Sequence, residues 1–415
     1  MKAALRVQLS VMMFLEFFIW GSWYTTIGVY MSNHNMANLT HWPYTVNPIA
    51  AIIAPFFVGL IADRFFATQK VLGTLHILGA VFMFLTPSAT GNPVVFILLL
   101  LAYNLCYMPT MSLANTICFH KMSDQEKEFP LIRVFGTLGW IVAGLIISFV
   151  LGGFVAEHVK PEETAMPLYM TAAASLLLGI YSFFLPNTPP PAAGRKISAS
   201  SIIGVDAFKQ LASPSFFIFL LSSFLICIPL AAYYNFTQLF LEGVQFKNIA
   251  ATQTVGQVSE TLFMVLMPFF FLRLGVKWML AAGMLAWVLR YVLFALGAPD
   301  QVSWMILTGI ALHGICYDFF FVTGQIYVDK KANPLIRAQA QGLIVFVTYG
   351  VGMLVGAQTA GLVFNKFLGS ATALTLPQWQ SFWWLPASFA AAVLLFFIVT
   401  FKEKKNTSVL DSTTK

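Results

Sequence analysis

Charged residues are scarce in this chain. Only 9% of its 415 residues are Asp, Glu, Lys or Arg, whereas 59% are hydrophobic, and the mean hydropathy is +0.79. A soluble domain carries roughly 25% charged residues, so the chain lacks the polar surface that a water-exposed fold needs. The sequence therefore predicts a protein whose exterior faces the lipid bilayer. The net charge of +7 does not indicate a nucleic-acid partner, because the basic residues lie in short loops between apolar runs.

Cysteine is also scarce. Cys106, Cys118, Cys227 and Cys316 lie within or beside apolar segments, and their spacing matches neither a zinc site nor a disulfide framework. We interpret them as small apolar residues. The sequence shows no nucleophile–base pair and no phosphate-binding loop either, so we expect no metal, no cofactor and no enzymatic activity.

Twelve apolar runs are long enough to cross a membrane as helices, which need roughly 20 residues each. The longest polar interruption contains the Pro- and Ser-rich stretch PNTPPPAAGRKISASS, which is typical of a linker. We therefore predict a bundle over 1–186, a cytoplasmic linker over 187–213, a second bundle over 214–401 and a cytoplasmic tail over 402–415. The runs lie at about 7–30, 43–62, 70–89, 93–117, 131–154, 167–186, 214–239, 251–272, 278–297, 302–325, 338–364 and 380–401.

Lysine and arginine are distributed unevenly among the loops. With the N-terminus in the cytoplasm, the loops on the opposite side hold only Lys160, Lys247 and Lys366. Because basic loops are retained in the cytoplasm, this bias predicts that both termini are cytoplasmic. The cytoplasmic loops then hold Arg64, Lys70, Lys121, Lys127, Arg195, Lys196, Lys209, Arg273, Lys277, Lys330, Lys331 and Arg337.

The tetrapeptide Pro-Leu-Ile-Arg occurs twice, from Pro130 and from Pro334, at equivalent places in the two predicted bundles. Parallel six-helix halves are typical of a large class of secondary transporter, whose substrate site lies between the halves. The stretch GLIADRFFATQK resembles the Gly-x-x-x-Asp-Arg loop of the major facilitator superfamily, with Gly59, Asp63 and Arg64 in place. The resemblance implies an all-α membrane protein with the major facilitator fold, twelve transmembrane helices in two six-helix pseudo-symmetric halves. It also makes Asp63 and Arg64 candidates for gating the cytoplasmic face.

Five charged residues fall inside the apolar runs: the acids Glu16, Glu260 and Asp318, and the arginines Arg133 and Arg290. An acid near the bilayer centre costs roughly 2.5–3.5 kcal/mol on insertion scales. Three unpaired acids would together cost on the order of 8–10 kcal/mol, which is comparable with the net stability of a domain. We therefore expect them to be paired, protonated or hydrated, as they would be in a central cavity.

Spacing places several polar residues on shared helix faces. Arg133, Thr137 and Trp140 follow the i, i+4, i+7 pattern of one face. Gln257 and Glu260 are three residues apart and project from the same side of their helix. An arginine, an amide, a carboxylate and aromatic rings suit a small neutral ligand that bears several hydroxyls and a flat ring.

Two further groups are candidates for the same cavity. His313 and Tyr317 are four residues apart, and Asp318 is adjacent to Tyr317 but turned about 100° away. Asn235 and Gln238 are three apart in the seventh run and could also line the cavity. The glycosylation pattern Asn-x-Thr at Asn235 lies inside that run, so we interpret it as a coincidence.

Structural roles are the alternative for three of these residues. Glu16 could be a helix-contact group rather than a ligand, and His313 could be a core histidine with its hydrogen bonds satisfied. Arg290 could pair with Asp318 or another acid to hold helices together.

Five stretches resemble the bacterial nucleoside:proton symporters of the major facilitator superfamily: EFFIWGSWYTTIGVY, YMPTMSLANTI, FPLIRVFGTLGW, GQVSETLF and CYDFFFVTG with YVDKKANPLIRAQAQG. The resemblance extends over nearly all the runs. It implies proton-coupled uptake of nucleosides. It also implies that the nucleoside site includes Arg133, Thr137, Gln257, Glu260 and Tyr317.

The chain departs from the best-known members of that family in its aromatic and amide residues. They carry Phe, Tyr and Phe at the positions of Trp140, His313 and Tyr317, and an amide pair where this chain has Ile228 and Ala231. The resemblance is to the less characterised branch of the family. The departures leave the sugar-binding residues in place and alter those that would contact the base.

The function expected from this resemblance is import of nucleosides with protons by alternating access. Substrate would bind Arg133, Thr137, Trp140, Asn235, Gln238, Gln257, Glu260, His313 and Tyr317, and Glu260 or Asp318 would carry the proton. The partners are then a nucleoside, a proton and the lipid bilayer, for a monomer in the bacterial cytoplasmic membrane. A proton-coupled sugar or polyol symporter and a membrane sensor that does not transport are the alternatives.

Overall fold

The computed structural model describes residues 2–64, 66–122, 125–189, 205–333 and 336–402, which form helices and connecting turns with no β-strand among them. Twelve helical segments follow the predicted runs, and a short helix, Val205–Leu211, precedes the seventh. They are α1 Ala3–Asn33, α2 Pro43–Arg64, α3 Thr68–Ala89, α4 Pro93–Lys121, α5 Glu128–Phe154, α6 Met166–Ser182, α7 Pro214–Gly243, α8 249–274, α9 276–297, α10 Ser303–Lys331, α11 Gln339–Leu368 and α12 Leu376–Thr400.

Length and apolar composition explain why these segments are helices. Within the described ranges, nine helices are long and apolar enough to cross a membrane. The longest, Ile249–Gly297, is broken at Gly275, whose φ of 65° and ψ of −179° lie in a region that only glycine adopts readily. The break separates α8 from α9. Large apolar side chains such as Leu272 and Val265 are 88% and 75% exposed, which suits a surface that faces lipid.

The buried apolar residues of the described chain form two large hydrophobic cores and a small third cluster around Met267, Met279 and Phe319. One large core is built almost entirely from residues of α1–α6 and the other from residues of α7–α12. In the first, the Trp23 and Tyr103 rings meet edge to face at 5.7 Å. In the second, the Tyr291 and Trp383 rings stack at 5.8 Å. Each half therefore has its own packed interior, and the surface between the halves is left for other contacts.

Small residues bring α1 and α5 close together in the first half. A Cβ on Gly139 would overlap the carbonyl of Phe14, and one on Gly21 would lie 3.0 Å from the Trp140 ring. Close helix approach at glycine is the usual means of packing helices in lipid. The result fixes Trp140 against α1, so that both helices present aromatic side chains to the second half.

The first residues of the predicted linker, Asn187 and Thr188, form hydrogen bonds with α3. The Gln69 amide donates to Asn187 Oδ1 at 2.9 Å and accepts from the Thr188 N–H at 2.9 Å. The remainder of the linker up to residue 204, and the tail from residue 403, lie outside the described residues. The boundaries of the bundles, linker and tail therefore stay predictions.

Candidate substrate and proton site

A series of aromatic rings connects the two halves. Trp140 of α5 lies 6.2 Å from Tyr24 of α1, whose ring is 5.7 Å from that of Tyr234 on α7. Tyr234 lies 6.2 Å from His313 of α10, which lies 6.0 Å from Tyr317 one turn further on. The predicted residues Trp140, His313 and Tyr317 thus belong to one series of ring contacts. Tyr24 and Tyr234 were missed because nothing in their spacing distinguishes them from the other aromatic residues.

Opposite charges from the two halves meet beside these rings. The Glu260 side chain of α8 is 15% exposed, and its Oε2 lies 3.8 Å from Nε2 of His313. The Arg133 guanidinium of α5 interacts electrostatically with Glu260 and lies 4.0 Å from the centre of the Phe17 ring. A carboxyl group and a guanidinium from different helix bundles therefore lie within electrostatic range of each other.

Gln257 and Thr137 lie one turn from these charges. Gln257 precedes Glu260 on α8, and its Oε1 is buried without a hydrogen-bond partner among the residues that the structure describes. Thr137 follows Arg133 on α5 and is half-buried. Because buried polar atoms nearly always have a partner, the Gln257 oxygen points to a ligand or a water at this position.

Asp318 is a second acid near Glu260. Its side chain is fully buried, and within the described part of the chain neither of its oxygens has a hydrogen-bond partner. Asp318 is the second residue of a π-helical segment, Tyr317–Val322. It interacts electrostatically with Glu260. π-Helical turns are frequent at functional sites.

The pairing of Arg290 with Asp318 suggested by the sequence is not found among the described residues. Arg290 is fully buried on α9, where its Nε–H donates to the Gly309 carbonyl at 3.0 Å. Its guanidinium lies 3.9 Å from the centre of the Tyr233 ring, which stacks on His313 at 5.6 Å. The expectation is wrong because the guanidinium lies over an aromatic face rather than beside a carboxylate.

Asn235 and Gln238 have contacts of a different kind from those expected. Gln238 accepts from the Gly28 N–H at 2.9 Å and donates to the Tyr44 hydroxyl, so it joins the two halves. Asn235 donates to the Ala357 carbonyl at 3.4 Å and joins α7 to α11. Both side chains are fully buried. The Gln238 amide binds protein groups at both of its polar atoms, whereas Asn235 Oδ1 has no hydrogen-bond partner among the described residues.

Glu16 belongs to a buried cluster inside the first half. Its Oε2 lies 2.9 Å from Nε2 of His76, and its Oε1 accepts from the Thr110 hydroxyl at 2.5 Å. The other His76 nitrogen lies 3.2 Å from Ser175 Oγ. The helix-contact interpretation of Glu16 fits these bonds, and His76 was missed because an isolated histidine in an apolar run carries no spacing signal.

The structure describes the arginines of both Pro-Leu-Ile-Arg copies, but not the side chains of the predicted gate. Arg133 of the first copy faces the second half, whereas Arg337 of the second copy forms an exposed ion pair with Asp329 at 3.0 Å. The side chains of Asp63 and Arg64 lie outside the described part of the chain. Their gating role stays a prediction.

Hydrogen bonds between the halves cluster at the end of the bundle opposite the termini. We call this the distal end, and it is formed by residues 25–45, 148–163, 238–253 and 358–375. Here Gln253 donates to the Thr25 carbonyl at 3.0 Å and Gln358 donates to the Thr45 hydroxyl at 2.7 Å. Glu162 also lies here, in a loop outside the spans, and burial raises its pKa above the ordinary value of 4.5. The distal end is closed in this conformation.

Twelve helices in two halves, with buried charges where the halves meet, define a secondary transporter of the major facilitator type. The fold alone is shared with the POT-family transporter PepTSo, at a TM-score of 0.72, 12% identity, and coverage of 96% of this chain and 98% of that one. The sequence model of the nucleoside H+ symporter family matches residues 1–406, so the chain belongs to that family. It is a proton-coupled nucleoside transporter, and not an enzyme.

Individual relatives agree with this membership. The chain is 40% identical over 405 residues to YegT of Escherichia coli (strain K12), a protein named for nucleoside transport, covering 96% of this chain and 94% of YegT. It is 31% identical over 418 residues to the nucleoside permease NupG of the same organism, covering 96% of both chains. The crystal structure of NupG matches at a TM-score of 0.82 and 30% identity, over 96% of this chain and 100% of that one.

Proposed function

We propose that this protein imports nucleosides with protons across the bacterial cytoplasmic membrane by alternating access, with one site shared by the two halves. The observation that carries the proposal is that Glu260 of α8, beside His313, lies within electrostatic range of Arg133 of α5. Because Glu260 and Arg133 belong to different bundles, a ligand that binds both senses the relative position of the bundles. That is the property an alternating-access site needs.

The sealed distal end supports an inward-facing assignment. The lysine and arginine bias favours cytoplasmic termini, which would place the distal end on the outer side of the membrane. Gln238, Gln253 and Gln358 then close the outer side in this conformation. Asp63 and Arg64 would act at the other end, as a latch of the cytoplasmic face when it closes.

The site residues divide by chemistry. Glu260, Gln257 and Arg133 offer carboxylate, amide and guanidinium groups, which suit the hydroxyls of a ribose. Trp140 and Tyr317 offer ring faces, which suit stacking of a nucleobase. Thr137 and His313 add a hydroxyl and an imidazole between these two regions. A sugar ring can also pack against an aromatic face, so membership of the nucleoside H+ symporter family, and not the aromatic series, favours a nucleoside over the sugar alternative.

Asp318 is the acid we assign to the proton in this conformation. An ionised carboxylate that is buried without a partner is penalised by several kcal/mol, and the nearby Glu260 carboxylate adds repulsion. A protonated Asp318 removes both costs. As the halves rock, the surroundings of Asp318 would change, so that its proton is released and later replaced. Glu260 would respond to this change because it interacts with both Asp318 and Arg133.

The remaining assignments have their support in the sequence. The twelve apolar runs support a position in the lipid bilayer. We propose that the protein acts there as a monomer. The six-helix bundles would extend over 1–186 and 214–401, joined by a cytoplasmic linker.

Uptake into proteoliposomes tests the proposal. We expect labelled uridine to accumulate when the outside is acidic, and unlabelled nucleosides to compete while glucose and maltose do not. Accumulation that ignores an imposed pH gradient would exclude proton coupling. Competition by the sugars at similar concentrations would favour the sugar or polyol alternative, and binding without counterflow exchange would favour the sensor.

A further inference from the structure

We infer that Glu162 is a positioning residue that holds the distal end closed by capping helix α8 from the opposite half. Glu162 lies in the connection between α5 and α6, in the first half, and its side chain is fully buried. Helix α8 belongs to the second half and carries Gln257 and Glu260. The contact therefore links closure of the distal end to the helix that supplies two site residues.

The geometry is that of an N-cap shared between two side chains. Glu162 Oε1 accepts from the Ala250 N–H at 2.9 Å and from the Ser148 hydroxyl at 3.3 Å. The Ser148 oxygen in turn accepts from the Ala251 N–H at 3.0 Å. Two successive N–H groups at the first turn of α8 are thus satisfied by residues of the first half.

Helix α8 does not supply this cap itself. Its own N-cap residue, Asn248, makes no side-chain capping bond. The first N–H groups of any helix lack partners within the helix, and a carboxylate near them is favoured further by the helix dipole. When the distal end opens, Ala250 and Ala251 lose both acceptors, so the cap stabilises the closed conformation selectively.

Helices α5 and α8 also pack closely against each other next to the cap. Gly144 of α5 lies against α8, since a Cβ at that position would be 2.7 Å from the Thr254 methyl and 2.9 Å from the Ala250 carbonyl. Such close approach holds the two helices in one register while the cap is formed. Movement of α8 away from α5 therefore breaks the cap and the packing together.

Labelling of a cysteine in the closed surface measures how often the distal end opens. Thr25 is 8% exposed and its carbonyl binds Gln253 of the second half, so Thr25→Cys places a thiol there without removing that bond. The four native cysteines are buried, and protein without the Thr25 change gives their background. With a membrane-impermeant maleimide, the labelling rate follows the open population even when that population is small.

We expect Glu162→Ala to raise the labelling rate by on the order of tenfold, as for loss of an N-cap. Glu162→Gln, which keeps an acceptor oxygen, should stay within about twofold of the protein that carries Thr25→Cys alone. Glu157→Ala is the matched control, because Glu157 lies in the same connection but is exposed, and it should have no effect. Equal rates for Glu162→Ala and Glu157→Ala would overturn the inference.

A second variant, Ser148→Ala, tests the inference if Glu162→Ala does not fold. Ser148→Ala removes the acceptor of the Ala251 N–H and the hydroxyl that donates to Glu162, and leaves the bond between Glu162 and the Ala250 N–H. We expect it to raise the labelling rate a few-fold; an unchanged rate would contradict the inference. The inference uses the alternating-access cycle of the proposed function, but the labelling needs no nucleoside or proton movement. A protein that does not transport uridine could still show the effect of Glu162→Ala on labelling. A protein that transports uridine could equally show no such effect, so failure of the inference and failure of the proposed function are distinguishable.

Discussion

The Asp318→Asn variant is expected to exchange nucleoside across a membrane but to lose accumulation driven by a pH gradient. Asp318 is fully buried and has no hydrogen-bond partner among the described residues, so we assign the transported proton to it. Asparagine has nearly the same shape and remains neutral throughout the cycle. The halves can still rock with bound nucleoside, but no proton accompanies it.

Proteoliposomes with an imposed gradient measure this loss. One proton per nucleoside allows about tenfold accumulation for each pH unit, because a pH unit is worth 1.36 kcal/mol. The unmodified protein and Asp300→Asn, a change in an exposed distal loop, should approach that ratio, whereas Asp318→Asn should equilibrate uridine without concentrating it. Accumulation by Asp318→Asn equal to that of Asp300→Asn would remove Asp318 from the coupling mechanism.

The second large effect is expected on nucleoside binding. Glu260→Gln should weaken uridine binding on the order of 100-fold, because charge-assisted hydrogen bonds from the ribose hydroxyls and the attraction of Arg133 are both lost. Glu260 is the partly exposed acid of the site, beside His313, so the change removes a charge without emptying a packed core. Calorimetric titration of purified protein with uridine gives the dissociation constant directly.

The control for this effect is Glu157→Gln, which removes the same charge from an exposed loop. It should bind uridine as the unmodified protein does. If Glu260→Gln binds within about threefold of Glu157→Gln, the carboxylate does not hold the nucleoside, and the assignment of Glu260 to substrate fails.

The fold could be predicted from sequence because its determinants are long and cumulative. Each span needs some 20 apolar residues, and errors of a few residues at a boundary change nothing in the count. The break between α8 and α9 shows the same robustness: the polar RLGVK stretch marks it, and Gly275 makes the turn. The resemblance over nearly the whole chain agreed with the family match.

The site was harder to predict because helical spacing shows which residues share a face but not what that face contacts. Asn235 and Gln238 lie three residues apart, as binding residues would, yet Gln238 bonds to Gly28 in the closed distal end. Only the relative position of the halves decides this, and a single sequence does not contain it. The capping role of Glu162 depends on the same long-range contact.

Irregular helix geometry limited the prediction in a second way. The π-helical segment Tyr317–Val322 departs from the 3.6-residue period on which the placement of Tyr317 and Asp318 depended. Arg290 was expected beside Asp318 but lies over Tyr233, since an aromatic face offers a buried guanidinium an alternative to a carboxylate. Neither feature has a signal in residue spacing.

A double-mutant cycle on uridine binding tests the central claim most directly, namely that one nucleoside touches both halves. The cycle compares Arg133→Ala, Glu260→Gln and the double variant with the unmodified protein by titration. A shared site predicts that each single change weakens binding and that the double loss falls short of their sum by about 1 kcal/mol or more. Losses that add within about 0.5 kcal/mol, or an Arg133→Ala variant that binds uridine normally, would contradict the claim.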